Sequence, residues 1–215
     1  MRRVETLVVG AGQAGLAVSR CLTEAGADHV VAERGRVAER WRASRWDSLR
    51  LITPSWMSRL PFWAYTGTDP DGYMPAPDLV RYLEGYAGSF AAPVHESTTV
   101  ERVEACAGGL RVITDQRTWL ARNVVVATGT ENRAHVPSVA GGIDPRVRQL
   151  TASRYRGPHQ IPDGGVLVVG ASASGAQIAD ELRRSGRRSR PGPSTTRCRG
   201  PGSGGEAGHA GRPRG

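Results

Sequence analysis

The segment ETLVVGAGQAG, from Glu5 to Gly15, joins a short apolar run to three closely spaced glycines. The apolar run predicts a buried strand over residues 5–10. Gly10 would allow a tight turn, Gly12 would let the backbone approach a pyrophosphate, and Gly15 would let a helix pack on the strand. The apolar residues that follow keep helical spacing, so we predict a helix over about 14–25.

A second strand is predicted over His29–Ala32, and it ends directly before Glu33. A carboxylate in that place accepts hydrogen bonds from ribose hydroxyls. The strand, helix and strand together form one βαβ unit, whose helix N-terminus is suited to holding phosphates. We interpret this unit as a dinucleotide site; the alternative is a tight turn that uses its glycines only for packing.

A second turn of the same kind begins about 160 residues later in the chain. The apolar run Val166–Val169 predicts a buried strand, and Gly170, Ser172 and Gly175 follow it at the spacing of the first loop. A helix is predicted over about 173–184. Because serine leaves less room than glycine, this loop alone could also be an ordinary serine-rich helix start. Two such loops in one chain favour two nucleotide sites.

The region between the loops has weaker patterns. Residues 34–75 are rich in Arg, Trp and Pro, and their four tryptophans fit either the core or the flat apolar walls of a flavin site. A helix is predicted to start at Pro77 and Asp78. The β segments expected here are residues 98–105, 110–114 and 118–121 of a meander, and a separate strand over 123–127 that leads into Gly129.

Charge separates the end of the chain from the rest. The net charge is +9 and every basic residue is Arg, but residues 186–215 contain seven arginines against a single acid, Glu206. The remainder is nearly balanced, which argues against a nucleic-acid-binding domain. Residues 187–215 have no Leu, Ile, Val, Met or aromatic residue, so we expect a disordered tail. Its abrupt start is typical of a shifted reading frame; an RNA-binding Arg/Gly tail is the other interpretation.

Other classes of site lack a pattern in this sequence. The longest apolar-looking run is too short to span a bilayer and is broken by glycines, so we expect a cytoplasmic protein without a membrane partner. The three cysteines lie far apart and form no Cys-x-x-Cys pair, so no metal site is predicted. His95, His135 and His159 lack ligand spacing, and we expect them in loops or in solvent.

Taken together, the motifs resemble those of the flavin-containing monooxygenase superfamily, and most closely its bacterial branch of oxidoreductases related to Baeyer–Villiger monooxygenases. The resemblance covers residues 4 to about 185. It is carried by Gly10-x-Gly12-x-x-Gly15, Glu33, Glu39-Arg-Trp41, Arg45-Trp-Asp-Ser-Leu-Arg-Leu51, Thr53-Pro54, Ala127-Thr-Gly129 and Gly170-x-Ser172-x-Ser-Gly175.

The resemblance implies an α/β, Rossmann-like flavoprotein with two dinucleotide-binding domains, in which a β-meander is inserted into the FAD domain and the NADPH domain is only begun. Residues 1–150 would form the FAD-binding domain, and residues 151–186 would start the NAD(P)H-binding domain. By the same resemblance, FAD would contact Gly10, Gly12, Gly15, Glu33, Arg40, Trp41, Val100 and Gly129. The nicotinamide nucleotide would contact Gly170, Ser172 and Gly175.

The implied activity is NADPH-dependent oxidation of a small molecule, with oxygen insertion of the N,N-dialkylaniline or Baeyer–Villiger type. The family fingerprint before the second loop is degraded, because only its aromatic residue, Tyr155, is present. An FAD oxidoreductase without oxygen insertion therefore stays open, as does a truncated remnant that at most binds FAD. In the family resembled, a returning C-terminal segment helps close the flavin pocket, and we expect it to be absent here. Ile178 and Leu182 are also expected to lack partners, so turnover by this chain alone is not expected. The sequence does not indicate an oligomeric state.

Overall fold

A six-stranded sheet is the largest element of the computed structural model, which describes residues 1–129, 134–186 and 189–192. Its strands are β1 (Arg2–Val9), β2 (His29–Ala32), β5 (Val94–His95), β6 (Val100–Cys106), β7 (Gly109–Thr114) and β8 (Thr118–Val126). Two short pairs lie outside it, β3 (Arg59–Leu60) with β4 (Trp63–Ala64), and β9 (Val166–Val169) with β10 (Ser189–Gly192). The helices are α1 (Gln13–Glu24), α2 (Glu39–Ala43), α3 (Ala76–Ser89) and α4 (Ala173–Arg184).

The sheet is parallel in one half and antiparallel in the other. Its strand order is β5-β2-β1-β8-β7-β6; the first four strands are parallel, and β8, β7 and β6 form the predicted meander. The prediction of two separate segments over 118–121 and 123–127 is wrong, because β8 is one continuous strand. It is continuous because β1 pairs along its length, from Arg2 opposite Trp119 to Val9 opposite Val126.

Two different clusters of buried apolar residues cover the two faces of the sheet. Val8, Val31 and Leu83 are fully buried in a cluster that joins the strands to α1 and α3. On the other face, Leu7 is fully buried in a cluster with Val112 and other residues of the meander. Neighbouring strand residues point to opposite faces, so a strand covered on both sides has a continuous apolar sequence. This arrangement explains the unbroken apolar run of β1 and confirms the α/β prediction.

The second glycine loop belongs to a smaller βαβ unit. Strand β9 and helix α4 have the predicted bounds, and β10 lies parallel to β9, with Gly192 opposite Val169. Residues 189–192 therefore differ from the predicted disordered tail, because their backbone completes a strand pair. The rest of that tail, residues 187–188 and 193–215, lies outside the described residues.

The prediction that the apolar face of α4 lacks partners is wrong. Ile178 is 8% exposed and Leu182 is 1% exposed. They pack in a cluster with Trp46, Leu49 and Tyr155, all of which precede β9 in the chain. The expectation that this chain cannot turn over loses this part of its basis, because the helix face is covered by the chain itself.

The prediction that His95 lies in a loop or in solvent is wrong. His95 lies on β5, and its side chain is half-buried. Its ring meets the edge of the Trp119 ring at a centroid distance of 5.4 Å. The guanidinium groups of Arg2 and Arg117 lie 5.4 and 5.9 Å from the centroid of that same ring. Burial, followed by the positive charges of Arg117 and Arg2, lowers the pKa of His95 below its ordinary value of 6.5.

This environment predicts a loss of stability on mild acidification. As the pH falls below about 6.5, the unfolded chain takes up a proton at His95 before the folded chain does, so the free energy of unfolding decreases. Replacing His95 with Gln should flatten the dependence of stability on pH between about 7 and 5. Urea denaturation at several pH values measures the effect. The exposed His135 provides the control, and a His135→Gln protein with an equally flattened profile would contradict the assignment.

Candidate functional site

The first glycine loop is a tight turn at the end of β1. Gly10 has a φ of +106°, and its N–H donates a hydrogen bond to the carbonyl oxygen of Ala32 at 2.8 Å. A Cβ atom at Gly10 would lie 2.7 Å from the carbonyl oxygen of Ala127, the residue directly after β8. Both the backbone conformation and the lack of space therefore require glycine at this position.

The other two glycines of this loop serve different purposes. A Cβ atom at Gly15 would collide with the carbonyl oxygen of Gly10, so Gly15 is what allows α1 to approach β1. Around Gly12, no described atom lies within 4 Å of the corresponding Cβ position. Gly12 directly precedes α1, and no described side chain caps that helix. The space at Gly12 and the uncapped N–H groups are suited to a pyrophosphate.

Glu33 is bound to this loop through its carboxylate and is only 9% exposed. Its Oε2 accepts a hydrogen bond from the N–H of Ala11 at 2.7 Å, and its Oε1 accepts one from the N–H of Gly35 at 2.9 Å. The contact with Ala11 was not anticipated from the sequence. Each carboxylate oxygen has a further lone pair, so the group retains the capacity to accept hydroxyl hydrogen bonds.

Arg40 and Trp41 lie on α2, the helix whose start is hydrogen-bonded to the same loop. The N–H of Ala38, the residue before α2, donates a hydrogen bond to the carbonyl oxygen of Ala11 at 3.1 Å. Trp41 is partly buried, and the guanidinium of Arg45 lies 4.9 Å from the centroid of its ring. The start of α2 is thus hydrogen-bonded to the turn that holds Gly10 and Gly12.

Val100 and Gly129 enter the site region from the meander side. Val100 opens β6, two residues after Thr98, whose N–H donates to the carbonyl oxygen of Glu33 at 2.7 Å. Gly129 lies two residues beyond Ala127, the residue against which Gly10 turns, and no described atom lies within 4 Å of the position that a Cβ atom would take there. Their contact with a cofactor stays a prediction, as it does for the other site residues.

The tryptophans of residues 34–75 divide between core and surface. Trp46 is 2% exposed and belongs to the cluster that buries α4. Trp63 packs against the rings of Tyr82 and Tyr86, with centroid distances of 6.4 and 6.1 Å. Trp56 is 48% exposed. The core interpretation is confirmed for Trp46, and the flavin-wall interpretation of the other tryptophans stays a prediction.

The second loop repeats the backbone of the first. Gly170 has a φ of +110°, and a Cβ atom at Gly175 would collide with the carbonyl oxygen of Gly170, as one at Gly15 would with Gly10. Ser172 has φ −78° and ψ 176°, close to the φ −84° and ψ −173° of Gly12. The Ser172 side chain is exposed and does not cap α4. A phosphate-type turn is therefore present, and serine is compatible with it.

Two other features, a metal site and a membrane-spanning helix, are not found among the described residues. The described ranges bring together no three His, Cys, Asp or Glu side chains that could hold a metal ion. Over the same ranges, no helix has both the length and the apolar character needed to cross a bilayer.

Two strand–glycine–helix turns on parallel strands define a protein of the dinucleotide-binding class. The family model of the pyridine nucleotide-disulphide oxidoreductases matches residues 7–190. The chain therefore belongs to this family, and the match extends over both glycine loops.

Relatives similar in sequence support the resemblance to flavin monooxygenases. An uncharacterized CzcO-like oxidoreductase of Geobacillus kaustophilus is 42% identical over 180 residues, which are 83% of this chain and 51% of the relative. An indole-3-pyruvate monooxygenase of Oryza sativa subsp. japonica is 33% identical over 184 residues, 84% of this chain and 45% of the relative. The chain spans about half the length of the curated relatives it matches.

A solved structure agrees with these sequences. The flavin-containing monooxygenase from Stenotrophomonas maltophilia superposes with a TM-score of 0.79 at 30% identity. The match covers 89% of this chain and 58% of the monooxygenase. The predicted membership of the flavin-containing monooxygenase superfamily is confirmed.

The different roles of Gly12 and Gly15 predict different costs for the same substitution. Gly15→Ala should lower the free energy of unfolding by about 1–3 kcal/mol, because the new methyl group overlaps the Gly10 carbonyl oxygen. Gly12→Ala should lower it by less, about 0.5–1 kcal/mol, since its φ is ordinary and the space is open, and the cost is only that alanine is a poorer N-cap than glycine. Thermal denaturation followed by circular dichroism compares the two proteins, and equal melting temperatures would refute the distinction.

Proposed function

We propose that this chain is the nucleotide-binding part of a flavin-dependent oxidoreductase, with FAD at the first loop and NADPH at the second. The observation that carries the proposal is that both loops share one backbone geometry, whereas among the described residues only the first loop has a carboxylate bound to it. The two loops are therefore suited to two different dinucleotides.

The first loop fits FAD. Its pyrophosphate would lie over Gly12 at the N-terminus of α1, and Glu33 would accept the ribose hydroxyls. Arg40 and Trp41 would approach from α2. The open space at Gly12 and the buried, oriented carboxylate support this assignment, because both features are present without any rearrangement of the chain.

The second loop fits NADPH better than NADH. Gly192 lies opposite Val169 in the register of β10 with β9, just as Ala32 lies opposite Val9 in the first unit. In the sequence, the residue directly after β10, as Glu33 is directly after β2, is Pro193, which has no carboxylate. A carboxylate there would bind a free ribose hydroxyl and repel a 2′-phosphate.

The chain's own residues would bind and orient the two nucleotides. FAD, when bound, supplies the two-electron redox chemistry that the protein's side chains lack. The names of the rice and Stenotrophomonas proteins support oxidation of the monooxygenase type on a small-molecule substrate. A soluble, cytoplasmic enzyme is consistent with this proposal, and no nucleic-acid or membrane partner is part of it.

The assignment of the two loops predicts that each nucleotide can be weakened separately. Gly12→Ala should weaken FAD binding by at least about tenfold, because its methyl group fills the space over the helix N-terminus. Ser172→Val should weaken NADPH binding in the same way, and each variant should leave the other nucleotide's affinity within about twofold. Fluorescence or calorimetric titration of both nucleotides measures these affinities. Weakening of NADPH by Gly12→Ala and of FAD by Ser172→Val would reverse the assignment.

Glu33→Gln should also weaken FAD selectively. Both carboxylate oxygens accept backbone hydrogen bonds, so the amide of Gln would turn an NH₂ group toward the N–H of Ala11 or of Gly35. The loss of a hydrogen bond to a charged group corresponds to about 1.5–3 kcal/mol, or roughly 10- to 150-fold in affinity. The exposed Glu101 on β6 provides the matched control, Glu101→Gln. If the two variants bind FAD equally well, the ribose contact lies elsewhere.

A further inference from the structure

The side chain of Gln177 binds a backbone segment that is 127 residues distant in the sequence. Gln177 lies in the second turn of α4, the helix that starts at the second glycine loop. Its Oε1 accepts a hydrogen bond from the N–H of Arg50 at 3.2 Å, and its Nε2 donates one to the carbonyl oxygen of Arg50 at 3.0 Å. Both peptide groups of Arg50 on that edge are thus bound by a single side chain.

Arg50 belongs to a short extended segment whose other edge is already paired. The N–H of Leu51 donates to the carbonyl oxygen of Met74 at 2.9 Å, and the N–H of Ala76 donates to the carbonyl oxygen of Leu49 at 3.1 Å. The carboxamide of Gln177 therefore takes the place of a second neighbouring strand. An amide has both an acceptor oxygen and a donor NH₂ group, which is why Gln is suited to bind a peptide N–H and C=O at once.

The apolar contacts beside Gln177 bury α4, but they do not specify its exact position. Ile178 and Leu182 pack in one cluster with Trp46 and Leu49. Apolar burial is non-directional, whereas a hydrogen bond requires a specific distance and angle. Two contacts of α4 are directional: the pair of bonds to Arg50 beside the second loop, and a hydrogen bond from the Tyr155 hydroxyl to Glu181 near the other end of the helix. The pair at Arg50 therefore acts on the position of the end of α4 that carries the second loop.

Hydrogen bonds at both ends of the segment 38–50 connect Gln177 to the first loop through the covalent chain. Arg50 follows Trp46 and α2 in the chain, and Ala38, at the start of α2, is hydrogen-bonded to Ala11 between Gly10 and Gly12. The position of Gln177 on α4 therefore bears on the distance between the two glycine loops.

We propose that Gln177 is a positioning residue, which through its two hydrogen bonds to Arg50 sets the placement of the second nucleotide loop relative to the first. This inference rests on the proposed function, in which two nucleotides must bring their reacting rings together. Reaction between bound groups requires the reacting atoms to be about 3–3.5 Å apart, so a small shift of α4 slows the reaction while each nucleotide still binds.

The test compares Gln177→Met, which keeps the length of the side chain but removes both hydrogen bonds, with Gln116→Met on the remote β7–β8 turn. Anaerobic stopped-flow absorbance of the FAD-loaded chain measures flavin reduction at saturating NADPH. We expect Gln177→Met to reduce that rate at least tenfold, with both dissociation constants within twofold of the original protein. Gln116→Met should leave all three quantities unchanged. Changed dissociation constants with an unchanged rate, or equal rate losses in both variants, would overturn the proposal.

A further measurement, hydrogen–deuterium exchange, does not depend on turnover. In the nucleotide-free chain, hydrogen–deuterium exchange at the Arg50 amide should be faster in Gln177→Met than in the original protein and in Gln116→Met. If the original chain binds neither nucleotide, the proposed function fails, but this exchange still tests the contact. Equal exchange at Arg50 in all three proteins would overturn the positioning role itself.

Gln177→Glu keeps the test informative if Gln177→Met does not fold. An ionised Glu has no donor for the Arg50 carbonyl oxygen, whereas a protonated Glu has one and resembles Gln. An ionised Glu still accepts from the Arg50 N–H, so the readout here is the rate of flavin reduction by NADPH. Relative to the original protein at the same pH, the variant should be slower at pH 8 and recover as the pH falls toward 5, near the ordinary carboxyl range. A pH-independent difference would count against hydrogen bonding as the cause.

Discussion

Helix α1 crosses the end of β1 so closely that the carbonyl oxygen of Gly10 occupies the place where a side chain at position 15 would begin. This contact directs the N-terminus of the helix at the end of the parallel strands. Two separate segments are then attached to Ala11 inside the turn: Glu33 accepts its N–H, and Ala38 donates to its carbonyl oxygen. The end of β2 and the start of α2 are thereby both fixed to one residue, so the candidate FAD site depends on a single backbone approach.

The second unit uses the same approach at Gly170 and Gly175 but depends on the first unit for its packing. A pair of strands and one helix cannot bury the apolar face of that helix on their own. Trp46 and Tyr155 supply the missing surface, and the Tyr155 hydroxyl donates a hydrogen bond to Glu181 at 2.7 Å. The long, irregular region between the loops is therefore the structural connection between two nucleotide-binding turns.

Several arginines of the globular part have structural partners. The Arg20 guanidinium lies 5.3 Å from the ring centroids of both Phe62 and Phe90, and it pairs with Glu24. Arg156 donates to the carbonyl oxygens of Ala43 and Arg45, at the C-terminal end of α2, where a positive charge is favourable. A high arginine content is thus compatible with a folded domain in which the guanidinium groups stack on rings and bind helix ends.

What the sequence determined by itself is the local geometry of the two turns and the elements beside them. The bounds of β2, β9 and α4 follow from residue periodicity, and Gly10 and Gly15 follow from steric requirements that act over a few residues. The tertiary structure alone decided which apolar faces are covered. Ile178 and Leu182 are buried, and Trp46 is core while Trp56 is half exposed, because their partners lie far away in the chain. The hydrogen bonds of Glu33 to Ala11 and of Gln177 to Arg50 have no local sequence signal for the same reason: each joins groups that only the folded chain brings within 3.2 Å.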